Sequence, residues 1–170
     1  MRSDLHARDR SERPVPRVVR APFTLPTWKR TVYALAALPL TIVGALLAVF
    51  GAGRRARELH VQASRALLRT DLGLRPVDHS GRRVLGHAVV SLPVHAGVAL
   101  VTAYLWAVAA ANIAYPLRPD TADLTNAWGG PTLAGAWAVH GTAGVVFLFA
   151  TPWIVRGLTS VQVRLAARAL

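Results

Sequence analysis

The stretch ALPLTIVGALLAVFGAGRRAR, residues 37–57, decides how the rest of the chain is read. It belongs to an apolar segment, 31–53, long enough to cross a bilayer, which takes about 20 residues. Yet that segment is basic on both sides. Trp28-Lys29-Arg30 precedes it, and Arg54, Arg55 and Arg57 follow. Lys and Arg favour the cytoplasmic side of a membrane, so both ends claim one compartment and no return crossing is visible.

Working outward, the same segregation of charge and grease governs the whole chain. Its 170 residues are 53% hydrophobic with mean hydropathy +0.36, yet the net charge is +12. Three apolar blocks, 31–53, 84–114 and 131–155, contain only His87, His95 and His140 as ionisable groups. Such blocks read as transmembrane helices, two of them kinked, at Pro39 and Pro93. Between and beyond them lie two basic amphipathic stretches, 54–72 and 156–170. In the first, Leu59, Ala63, Ala66, Leu67 and Thr70 follow helical spacing, and Gly73 is the expected stop. Both are expected along the inner membrane surface, against anionic lipid headgroups. Residues 1–26 are Arg- and Pro-rich without an apolar period and read as a disordered tail. The fold class is therefore an all-α membrane protein, multi-pass in the plasma membrane, with its membrane-embedded domain at 27–170.

Loop charge orders these parts. Residues 54–83 carry eight Arg against Glu58, Asp71 and Asp78, so this loop, with Arg82 and Arg83, is expected inside. The tail with Arg156, Arg164 and Arg168 is expected there too. Loop 115–130 has no basic excess and is expected outside, with Tyr104, Trp106, Tyr115 and Trp128 forming an interfacial belt. Burial of 31–53 outweighs the charge bias of the N-terminal tail. Three crossings are expected, with the N-terminus outside and the C-terminus inside.

A degenerate two-fold repeat accounts for the missing return. WKRTVYALAALPLTIVGAL aligns with GRRVLGHAVVSLPVHAGVAL when Leu38-Pro39 meets Leu92-Pro93, bringing Gly44 near Gly97. Downstream, Val61-Gln62 pairs with Val161-Gln162. Between these anchors the second half holds 46 more positions than the first, the size of a loop and one crossing. The return helix of the first half is read as deleted or never completed.

These stretches resemble a known family. WKRTVYALAALPL, HVQASRALLRTDLG, the second Leu-Pro helix and TPWIVRGLTSVQVRLAARAL are similar to the sensor domain at the N-terminus of many actinobacterial sensor histidine kinases, which also occurs on stand-alone membrane proteins. The resemblance covers 27–170. It implies four membrane helices in two hairpins and a non-catalytic sensor in two-component signal transduction, and this chain departs from it in the first half.

Candidate sites are few. His95 and His140 are the ionisable groups deepest in apolar segments, and a pair of imidazoles on facing helices is a possible haem or metal site or a proton sensor. The competing reading is packing, each neutral ring bonding a carbonyl; no carboxylate accompanies either ring, which weighs against a metal, and no cofactor is expected. Gly135, Gly141 and Gly144 sit at helix-packing spacing, within the chain or in a homodimer. Arg54, Arg55, Arg57, Arg82, Arg83 and Arg156 are read as topology-setting, lipid-facing cations. Cysteine is absent, so thiolate chemistry and disulfides are excluded. No metalloprotease, hydrolase or phosphate-loop motif occurs, and nucleic acid is not an expected partner. The expected function is to relay an envelope or membrane signal to a cytoplasmic partner, such as a histidine kinase or response regulator. A structural assembly subunit and a haem- or quinone-binding protein are the alternatives.

Overall fold

The computed structural model describes residues 16–70, 81–119 and 123–169. Residues 1–15 of the expected tail, most of the connector RPVDHSGRR, and Asp120 lie outside them. Among the described residues all regular structure is helical. The order is α1 (Arg17–Arg20), a 3-10 turn (Ala21–Phe23), α2 (Leu25–Val49), α3 (Gly53–Leu68), α4 (Gly81–Ile113), a second 3-10 turn (Tyr115–Leu117) and α5 (Leu133–Ala169).

Local chemistry sets these boundaries. α2 begins earlier than the apolar block because Thr24, in extended backbone, precedes a first turn that carries Pro26, a residue suited to that position. Upstream, Thr27 Oγ1 and Thr24 Oγ1 donate to Ala21 O at 2.7 and 3.2 Å, and Pro22 is buried. Residues 16–26 are thus ordered, contrary to the expected disordered tail, because these hydroxyls hold the 3-10 turn onto the start of α2. Gly51, at φ +79°, reverses the chain after α2. α3 ends at Arg69, itself left-handed at φ 54°, before the expected stop at Gly73. The expected break between 155 and 156 is absent: 156–170 is no separate amphipathic helix, and α5 runs unbroken from Leu133 to Ala169. Pro39, Pro93 and Pro152 all lie inside continuous helices.

Three helices, of 25, 32 and 36 residues in their candidate spans, are long and apolar enough to cross a membrane. At about 1.5 Å per residue even the shortest exceeds a hydrocarbon core of about 30 Å. Contacts fix their directions. Trp28 near the start of α2 stacks on Trp106 near the end of α4, with centroids 4.8 Å apart, and Trp106 Nε1 donates to Thr31 Oγ1 at 3.2 Å. Ala48 near the end of α2 packs with Val84 near the start of α4. α2 and α4 are therefore antiparallel. α4 and α5 are antiparallel as well, since His140 meets Asn112 while Val155 meets Val98.

Each spanning helix buries a seam spaced by threes and fours. On α4 it is Val84, Ala88, Ser91, His95, Val98, Thr102, Leu105 and Ala109; on α2 it is Ala34, Ala37, Thr41, Gly44 and Ala48. This spacing is that of side chains meshing between nearly parallel helix axes. The opposite faces stay apolar: Leu46, Val89, Leu100 and Val146 are all exposed. Helices apolar all round suit a lipid solvent.

α3 is the main surprise. It does not lie away from the bundle but folds back along α2, with Ala56 against Ala48 and Gly44 at one end and Leu67–Leu68 beside Leu25–Pro26 at the other. Its buried face is Gly53, Ala56, His60, Val61 and Ser64, not the expected stripe of Leu59, Ala63, Ala66, Leu67 and Thr70, of which Ala66 is exposed and the others half-buried. Small residues allow the closer approach, so the small and polar face turns inward. The glycines matched in the repeat differ correspondingly: a Cβ on Gly44 would lie 3.1 Å from His60 Cε1, whereas Gly97 faces open space.

Of the three packing glycines, Gly144 carries the tightest interhelical contact. A Cβ there would come within 2.8 Å of Ile113 N on α4, while one on Gly141 meets only the Trp137 side chain, at 3.3 Å. Gly135 is hemmed in by the backbone of Gly129. Overpacking costs about 1–3 kcal/mol when backbone must shift. Gly144→Ala should lower the thermal unfolding midpoint in detergent, followed by circular dichroism, and Gly141→Ala should leave it nearly unchanged. Equal midpoints for the two variants would contradict this packing.

Candidate functional site: a histidine junction between three helices

Fold geometry brings His60 from α3 and His87 and His95 from α4 against Thr41 of α2. All four are buried, with relative exposures of 7%, 4%, 2% and 1%. The helical phase explains it: His87, Ser91 and His95 recur at four-residue intervals on one face of α4, and Ala56, His60 and Ser64 do the same on α3. Thr41 Oγ1 lies 3.2 Å from His60 Nε2 and 2.8 Å from His95 Nδ1. The His60 and His87 rings meet edge to face at 5.8 Å, and those of His87 and His95 at 6.3 Å.

Proton counting characterises this junction. Thr41 Oγ1 donates to Ala37 O at 2.8 Å, the usual bond of a helical threonine. The hydroxyl rotates, so its single proton can go to Ala37 O or to His60 Nε2. His60 Nδ1–H donates to Ala56 O at 3.1 Å, which makes Nε2 of the neutral ring an acceptor. His95 Nδ1–H donates to Thr41 Oγ1, which leaves its buried Nε2 bare. With neutral rings the network closes when Thr41 donates to His60. Burial pushes the His60 pKa below its ordinary value, and the bond to Ala56 O pulls it back only in part. His87 Nε2 and Ser91 Oγ are also buried without a hydrogen-bond partner among the described residues, and such atoms carry a desolvation cost.

His140 is elsewhere. It is half-buried at the other end of the bundle, where Nδ1 lies 3.0 Å from Asn112 Oδ1 and the ring stacks on Tyr115 with centroids 4.1 Å apart. His95 and His140 thus do not form the expected pair of facing imidazoles. Among the described residues no three His, Asp or Glu are placed to hold a metal ion together. The basic residues divide too. Arg54 pairs with Glu58 at 3.2 Å on the exposed face of α3, Arg55, Arg82 and Arg83 are exposed, Arg57 is half-buried, and Arg156 lines a hollow beside α2.

Thr41→Val keeps the shape of the side chain and deletes the shared hydroxyl. Two buried ring nitrogens then lose their partner, so the variant should lose about 1–3 kcal/mol of stability. The pH dependence has a definite sign. Unfolded imidazole takes up a proton near pH 6.5, whereas buried His60 resists it. Stability is therefore full above about pH 6.5 and is lost as pH falls through the lowered folded value. Unfolding in detergent between pH 5 and 8 should show this decline in the wild type and a shallower one in His60→Gln. An unchanged slope in the variant would remove His60 from the account.

The chain matches the family described as "Putative sensor" over residues 51–170, a stretch comprising α3, α4 and α5. No curated protein and no solved structure matches. α2, which completes the junction, precedes the matched stretch. With more than half of its length matched, this chain belongs to the sensor family.

Proposed function

We propose that the protein is a non-catalytic, membrane-embedded sensor domain that relays an envelope or membrane condition to a cytoplasmic partner, such as a histidine kinase or response regulator. The observation that carries this reading is the docking of a strongly basic helix, α3, onto apolar helices through a buried polar junction. Arg54, Arg55, Arg65 and Arg69 lie on its exposed side. An Arg against hydrocarbon costs about 2.5–3.5 kcal/mol even on the mildest scale, so this face belongs against water, headgroups or a partner. A shift in the His60–Thr41–His95 bonds would move that face relative to the bundle. The junction is thereby a suitable two-state element linking membrane helices to an output surface.

In the topology that goes with this reading, α2, α4 and α5 cross the membrane. Loop 115–130 lies outside, and Arg69, Arg156 and the C-terminus lie inside. The start of α2 goes with that inner side, since Arg20 and Arg30 share a hollow with Arg156, and Leu25–Arg30 share another with Leu67–Arg69. Pro39 and Pro93 are proposed as hinge points, since each removes one backbone hydrogen bond from its helix.

The test is a deletion in the native host, with response-regulator phosphorylation followed on phosphate-affinity gels. Deletion should change the phosphorylation of at least one regulator, and the wild-type gene should restore it. Thr41→Val, present in the membrane at equal level, should not. In the same strain a cysteine replacing Thr125 should react with an impermeant thiol reagent in intact cells. Unchanged phosphorylation on deletion would overturn the relay, and labelling only after lysis would overturn the topology.

A further inference from the structure

The start of α2 and the middle of α5 flank a half-open cavity of about 340 Å³ that the junction does not involve. This is near the lower bound of small-molecule sites, about 300 Å³. Arg20, Arg30 and Arg156 line it together with Thr24, Thr27 and Trp153. Arg30 and Arg156 are close enough for their like charges to act on each other, and Arg30 Nη1 is steadied by Thr159 Oγ1 at 3.4 Å. An adjoining cavity of about 160 Å³ shares Pro26 and Arg30 and adds Lys29 and Arg69. Five cations therefore surround the first two turns of α2.

Nothing of opposite sign among the described residues answers them. The acidic residues there are Glu58, paired with Arg54, and Asp123, which accepts hydrogen bonds from Thr125 at the other end of α4. Holding guanidinium groups together around a concave space costs free energy unless an anion enters. Guanidinium forks fit phosphate oxygens in a bidentate manner, and the N-terminal end of α2 adds its positive dipole. The cavity also joins the two stretches that begin and close the sensor-like sequence, WKR at Trp28–Arg30 and PWIVR at Pro152–Arg156, whose cations have no role in the junction.

We propose that this cavity binds an anionic phosphate group, held between Arg30 and Arg156 with Arg20 at its edge. Two sources share that chemistry, the headgroup of an anionic phospholipid and soluble phosphate. Exposed Phe23, Leu25 and Trp153 beside the cations offer an apolar surface for acyl chains.

The experiment uses the full chain purified in a neutral detergent. Native mass spectrometry and thermal unfolding are run with phosphatidylglycerol, with uncharged diacylglycerol, and with inorganic phosphate against chloride at equal ionic strength. The wild type should retain one phosphatidylglycerol and unfold at a higher temperature with it than with diacylglycerol, or should be stabilised by phosphate over chloride; the arm that responds identifies the source. Arg156→Gln, which leaves the Arg30–Thr159 bond in place, should weaken binding about tenfold, and adding Arg30→Gln should abolish it. Arg54→Gln with Arg55→Gln, away from the cavity, should bind as the wild type does. The proposal is overturned if neither ligand is preferred over its control. It is equally overturned if Arg156→Gln binds like the wild type, or if the α3 variant loses as much affinity as the cavity variants.

Discussion

One hydroxyl ties the molecule together. Thr41 Oγ1 sits between an imidazole of α3 and an imidazole of α4, and it belongs to α2. In the proposed membrane setting lipid would not drive apolar helices together as water does, so packing and polar contacts must position them. Meshed small residues supply the first: Ala34, Ala37, Gly44 and Ala48 bring α2 close to its neighbours. The histidine junction supplies the second, and with the Gly44–Ala56 and Ala48–Ala56 contacts it holds the basic helix α3 against an apolar one.

The junction combines strong placement with a mobile proton. His60 is held by Ala56 O and Thr41, and the Thr41 proton can point to Ala37 O or to His60 Nε2. Thr151 and Thr159, also buried, each donate to the carbonyl four residues back.

Much of the fold was legible because lipid imposes a coarse rule on sequence. Long uncharged blocks gave three apolar helices, and Gly144 proved to be a close-packing position. The inward face of α3 was not legible, because Gly53, Ala56, His60 and Ser64 are buried beside Val61, while Leu59 and Ala63 are only half-buried. His60 was hidden on that face. Thr41 was hidden because a threonine in an apolar helix usually bonds its own backbone, as it does here as well. His95 was identifiable from its depth in an apolar block, but its partner was misassigned: spacing along the chain cannot tell which helix a face will meet. The fold-back of α3 along α2 was not foreseen, since a basic amphipathic stretch was expected on the membrane surface.

The fold-back of α3 along α2 is the claim on which the junction depends, and the cysteine-free chain makes it directly testable. A Cβ at Gly44 would lie 3.7 Å from Ala56 Cβ, within the range of about 3.5–4.5 Å that a disulfide spans. Gly44→Cys with Ala56→Cys in one chain should form an intramolecular disulfide in isolated membranes under mild oxidation, seen as one fewer pair of alkylatable thiols. Arg55→Cys in place of Ala56→Cys, on the exposed face, should not. Free thiols in the first pair, or equal cross-linking in both, would mean that α3 does not pack against α2 as described.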